Sequence, residues 1–168
     1  WKLNLTDQGT LYEITQVFDG QGTQENGRFS FHQVEASLDQ NKTLWLYYGT
    51  GDYQKLQRTD SQIQNRLFAI KDKEFPKFKA ASSIGTILNL KNTSTAGGVC
   101  PSIADLGWYI NLNTHEKVTG KIAVSNEVVF ASRYTPNNSN ACSPGTSSIS
   151  EHNYICGNNG SSTNLGAG

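Results

Sequence analysis

Gly107-Trp108-Tyr109-Ile110-Asn111-Leu112, followed by Glu116-Lys117-Val118, is the stretch whose reading decides the fold. Short runs of aromatic and aliphatic residues fit a pleated, partly buried surface, and they read here as strands separated by tight turns. The pattern continues to Pro136 and to Cys142-Ser143-Pro144-Gly145, where proline and glycine punctuate the chain.

The same signals extend on both sides. Residues 10–18 alternate, with Leu11, Glu13, Thr15 and Val17 on one face and Tyr12, Ile14, Gln16 and Phe18 on the other. Leu44-Trp45-Leu46-Tyr47-Tyr48 is a continuous apolar run, which suits a strand covered on both faces. Further strands are expected over 29–34, 66–70, 84–90, 108–112, 120–124 and 127–132, with Ser125-Asn126 as a hairpin turn between the last two. Turn signals recur at Asp19-Gly20, Asn26-Gly27, 49–52, Gly97-Gly98 and Pro144-Gly145. The best helical candidate, 59–65 behind Thr59 or Asp60, is too short to stand alone. An all-β fold of antiparallel meander sheets follows, with one domain over 1–156 and a flexible Gly/Asn/Ser-rich tail over 157–168.

Composition narrows the function. The 168 residues carry 14 basic and 14 acidic side chains, so the formal net charge is zero. That balance argues against nucleic acid, which needs a basic excess, and against anionic membrane surfaces. Polarity comes instead from 16 Asn, 16 Ser and 15 Thr, residues that favour turns and strand surfaces. No stretch approaches the roughly 18 consecutive apolar residues of a spanning helix. The absence of methionine is expected of a mature fragment or an excised domain.

No catalytic motif competes with the strand pattern. Gly49-Thr50-Gly51-Asp52 lacks the Gly-Lys-Ser/Thr ending of a phosphate-cradling loop and reads as a glycine turn at a strand end. Residues 19–26 place oxygen-bearing side chains at alternate positions, yet only Asp19 fits a calcium loop, so a solvated turn is expected. Residues 71–79 read as a mixed-charge surface. Trp45, Tyr47, Tyr48, Trp108 and Tyr109 could stack on sugars, but at strand positions they read first as core. Cys100, Cys142 and Cys156 fit no zinc spacing, and His32, His115 and His152 are scattered. A disulfide is the expected use, between Cys142 and Cys156 or between Cys100 and Cys142.

In order along the chain, several segments resemble the C-terminal β-propeller of the PilC/PilY family, the type IV pilus tip-associated adhesins. Trp1-Lys2-Leu3-Asn4-Leu5 resembles the end of a blade motif. "LWLYYGTGDY" at 44–53 resembles an apolar strand closing in Gly-Thr-Gly and then Tyr, and "RLFAIKD" at 66–72 the strand that follows. The opening stretch resembles the family's Gly-Trp-Tyr segment, and 128–136 with 142–145 its closing strand and turn. On this resemblance Trp45, Gly49, Gly51, Gly107, Trp108 and Tyr109 are structural motif positions. Propeller repeats run about 40–50 residues, so the chain would hold roughly three to four blades of a partial ring.

The resemblance implies a non-enzymatic structural and adhesion module supporting pilus assembly, surface attachment and twitching motility. Minor pilins or other pilus-tip proteins would be its partners, with host or surface receptors beyond them. The location would be the bacterial cell surface, reached through the periplasm. No cofactor is expected. Calcium belongs to the parent family, but its acidic loop has no counterpart here and no site is placed. Two rivals have different chemistry. A quinoprotein-dehydrogenase-like propeller enzyme would need a quinone pocket, and a glycan-binding module would need exposed aromatics.

Overall fold

The computed structural model describes residues 1–5, 8–20, 28–59, 62–76, 83–95, 98–139, 142–158 and 160–167, with Tyr12 described by its backbone only. The alternating and apolar runs become twelve strands in three sheets. β1 (Lys2–Leu5) and β2 (Leu11–Thr15) form an antiparallel ribbon. The first full sheet contains β3 (Glu35–Leu38), β4 (Leu44–Gly49), β5 (Arg66–Asp72), β6 (Leu90–Asn92) and β7 (Gly107–Asn111), in the order β3-β4-β5-β7-β6. The second contains β8 (Lys117–Val118), β9 (Ala123–Ser125), β10 (Val128–Thr135), β11 (Thr146–Asn153) and β12 (Ser161–Ala167). Its order is β12-β11-β10, with β8 and β9 both pairing to the far edge of β10. Among the described residues the strands thus form two five-stranded sheets and one two-stranded ribbon.

The first sheet is covered on both sides, as its apolar runs require. Trp45, Tyr47, Leu67, Ala69, Trp108 and Ile110 face the second sheet and pack with Val118, Val129, Ala131 and Tyr154. On the opposite face Phe68, Ile70 and Leu90 pack with Phe18, Tyr48, Leu106 and Tyr109. Glycine permits the closest approaches. A Cβ on Gly49 would lie 2.5 Å from Cγ2 of Val118, where β8 crosses the end of β4. Gly107 has φ +152°, and a side chain there would strike the carbonyl of Ala69 on the paired strand.

Several expectations are corrected. Residues 29–34 form no strand; Phe29 instead offers its carbonyl to Gly51 N at 2.8 Å, and pairing begins at β3. Over 84–90 the chain makes a single bridge between Phe18 and Gly85 and then a 3₁₀ turn, Ile87–Asn89. That turn is favoured because Asn89 Oδ1 accepts from Thr86 N at 2.8 Å and from Thr86 Oγ1 at 3.1 Å. β6 then runs parallel to β7, breaking the antiparallel meander. No helix occupies the described part of 59–65; the local helical turn is the 3₁₀ turn Tyr53–Lys55, capped by Asp52. The hairpin turn is Asn126-Glu127 rather than Ser125-Asn126, with φ 48° and 65°. The expected tail is drawn into the second sheet, where β12 pairs antiparallel with β11.

The disulfide joins Cys100 to Cys156, with their Cα atoms 4.6 Å apart. Neither expected pairing forms. The turn after β11 carries Cys156 back against the loop leading into β7, while Cys142 lies exposed before β11.

Candidate functional site

Of the strand aromatics, Trp45, Tyr47 and Trp108 are buried, build the platform beneath the surface and are closed to ligands. Tyr47 OH and Trp108 Nε1 both donate to the carbonyl of Tyr154, each at 3.1 Å. One oxygen with two lone pairs therefore locks β4 and β7 to the turn after β11. Burial pushes the Tyr47 phenol well above its ordinary range, so it stays a neutral donor. Trp45 Nε1 donates to Asp39 Oδ2 at 3.0 Å. Tyr109 stays half-buried, with the Arg66 guanidinium 5.3 Å from its ring centre. Gly49 and Gly51 bring the backbone onto β8, where Val118 N donates to Thr50 O at 3.1 Å.

A buried polar chain runs through the second sheet. Glu116 Oε2 accepts from Asn113 N at 2.8 Å, and its Oε1 lies 3.6 Å from Arg133 Nη1. Arg133 Nη2 meets His152 Nε2 at 2.7 Å, and His152 Nδ1 meets Gly157 O at 3.1 Å. A guanidinium can only donate, so Nε2 accepts and the ring proton sits on Nδ1, donated to Gly157 O. Burial, then the neighbouring Arg133 charge, lowers the imidazole to about 4. Both ring nitrogens are committed, so this histidine is a structural tie. Among the described residues no three His, Cys, Asp or Glu side chains are grouped to hold a metal ion. The expected turn at 19–26 lies mostly outside the described residues.

An apolar cleft lies between the ribbon and the outer face of the first sheet. It encloses about 900 Å³ and is walled by Leu3, Leu5, Leu44, Leu46, Tyr48 and Phe75. Lys2 Nζ and Asp72 Oδ2 pair at 2.8 Å and hold the ribbon to β5. On the ribbon, Leu3 stands opposite Ile14 and Leu5 opposite Leu11. All four are more than half exposed. An apolar face of this kind marks an interaction surface. Alternation in 10–18 foretold a two-faced strand; that its apolar face lies uncovered was not readable, because covering depends on tertiary neighbours.

Among the described residues no helix is long and apolar enough to cross a membrane. No family model matches the chain, and no curated protein matches it in sequence. Among solved structures it is similar to the C-terminal domain of PilY1 from Pseudomonas aeruginosa, with a TM-score of 0.63 and 17% identity. The likeness covers 89% of this chain and 35% of that one, so the chain spans about a third of the solved domain's length. Over this overlap the chain shares the fold of part of the PilY1 C-terminal domain, an all-β arrangement of propeller-like sheets.

Proposed function

We propose that this chain is a non-enzymatic structural and adhesion module of a type IV pilus tip protein. It supports pilus assembly, surface attachment and twitching motility, with minor pilins or other tip proteins as partners. The observation that carries the reading is the fold likeness over 89% of the chain. The uncovered ribbon supports it, since a docking module needs exposed apolar surface that its own core does not use. The Cys100–Cys156 disulfide supports export to an oxidising compartment and placement at the cell surface.

The test is retention of purified minor pilins on the immobilised chain, with Leu3→Asp and Ile14→Asp as partners to the native sequence. The reading expects retention by the native chain and its loss in the ribbon variants, with far-UV circular dichroism unchanged. No retention by the folded native chain counts against it.

A further inference from the structure

A second surface lies away from the ribbon's exposed face and is built differently. Phe29, Phe31 and Tyr53 are each 42–46% exposed, although aromatic rings are ordinarily the first groups a fold covers. They form one shelf. Phe31 meets Tyr53 edge-on with ring centres 5.1 Å apart, and Phe29 lies 5.9 Å from Phe31. His32 tilts against Tyr53 at 5.3 Å.

The shelf is fixed from below. Gly51 N donates to Phe29 O at 2.8 Å. Lys117 Nζ donates to the carbonyls of Leu56 and Arg58 at 2.9 and 2.7 Å, and Gln57 Nε2 to Tyr134 OH at 2.6 Å. The loop carrying Tyr53 is thus tied to β8 and β10, and little ordering is left for a ligand to impose.

Beside the shelf, Phe29, Ile63, Asp52, Asn65, His115 and Lys117 line a notch of about 30 Å³. Such a volume holds a water or a hydroxyl, not a protein side chain. Two imidazole nitrogens flank the shelf without a hydrogen-bond partner among the described residues. They are His115 Nδ1, on a residue lining the notch, and His32 Nε2, on the ring against Tyr53. Both atoms are buried, and buried polar atoms are ordinarily satisfied, so they mark where a small group such as water belongs beneath the shelf.

We infer that the Phe29–Phe31–Tyr53 shelf is a saccharide-binding site that takes a single pyranose unit. The apolar C–H face of a pyranose covers exposed rings. Its hydroxyls both donate and accept, so one enters the notch and another reaches the Asp52 carboxylate on the notch wall. An acyl chain would cover the rings but bring no hydroxyl to the notch or to the Asp52 carboxylate. The site stands independently of the pilus reading and extends it, because Phe29, Phe31 and Tyr53 lie outside the cleft that the ribbon lines.

The experiment is a two-dimensional amide NMR titration of the 168-residue chain with the methyl glycosides of glucose, galactose, mannose and N-acetylglucosamine. Saturable shifts are expected from at least one glycoside, confined to amides of 28–32, 52–58 and 115–117. Phe31→Ala and Tyr53→Leu should each weaken that binding about tenfold, the worth of one aromatic contact. Leu88→Ala, at a side chain 90% exposed and outside the shelf, should leave it unchanged. The inference is overturned by no shift with all four glycosides, by shifts centred elsewhere, or by unchanged affinity in both folded shelf variants. Loss of minor-pilin retention in those variants, with no glycoside bound, would make the shelf a protein-docking surface and overturn it equally. Failure of the ribbon variants in the pull-down bears only on the pilus reading.

Discussion

The first sheet and the β1–β2 ribbon are made from similar sequence and end in opposite environments. β4 and β5 carry Trp45, Tyr47, Leu67 and Phe68, all at or near zero exposure. The ribbon carries Leu3, Leu5, Leu11 and Ile14, each exposed by 52–56%. Strand propensity is met in both, so what separates them is cover. The first sheet has the second sheet on one side and the Phe18–Leu106 cluster on the other. The ribbon is held to β5 by the Lys2–Asp72 pair, while Leu3 and Leu5 border the open cleft and stay more than half exposed. One region buries its apolar surface in the core, and the other leaves it open to solvent.

The sharpest way to break that comparison is to remove a side chain from the covered region. Trp108→Ala deletes a fully buried indole and leaves the Tyr154 carbonyl with Tyr47 as its remaining donor. Large-to-small changes of this kind cost about 3–5 kcal/mol. The urea midpoint should fall accordingly, and a loss under about 1 kcal/mol would mean that the two sheets are not locked through this residue. Next in size is the disulfide. Cys100 and Cys156 are 56 residues apart, and reduction frees that loop in the unfolded chain. A loss of about 2–4 kcal/mol is expected, read as the shift in urea midpoint between oxidised and reduced protein.

The third effect depends on pH. In the unfolded chain the His152 imidazole takes up a proton near its ordinary 6.5, while in the folded protein it does so only near about 4. Between those values the unfolded state binds more protons. The contribution is therefore complete above pH 6.5, is lost as pH falls through the window, and levels off below 4. The whole window is worth roughly 3 kcal/mol. Glu116 and Arg133 face the same ring chain, so the control is His152→Gln, which removes the titration. Stability measured at steps from pH 7 to 4 should show a shallower slope in that variant. Equal slopes would place the acid sensitivity elsewhere.

What was legible in the sequence follows the same division. β4, β5, β7 and β10 announce themselves through apolar runs, because covered strands must be apolar. Trp45 and Trp108 are buried, and Gly49, Gly51 and Gly107 stand where a side chain would strike a neighbouring strand. β12 was read as a fraying tail because Ser161–Ala167 is exposed at every position and carries no burial pattern to read. The cysteine pairing was missed because only the tertiary path brings Cys156 to Cys100. The aromatic shelf was missed for a related reason. Phe29 and Phe31 were read only as part of an expected strand over 29–34, and their partner Tyr53 arrives through the Gly51–Phe29 hydrogen bond. The signal available was a pair of aromatics next to nothing apolar, in a segment too polar to bury them.

The smallest expected effect on stability sharpens the comparison most. Leu3→Asp and Ile14→Asp lie opposite one another on the ribbon's uncovered face, where the side chains already meet water. Substitution at exposed positions outside caps and networks changes stability by about 0.5 kcal/mol or less. Charge at the centre of an apolar contact surface, by contrast, must be desolvated without a partner, and binding there falls steeply. The two readouts therefore separate in the ribbon and coincide in the core. If Ile14→Asp unfolds the chain as Trp108→Ala does, the ribbon is covered in solution by the protein's own surface, and the division between core and contact face disappears. If it leaves both folding and pilin retention untouched, the apolar face is inert, and docking belongs to a surface that the core and the ribbon do not share.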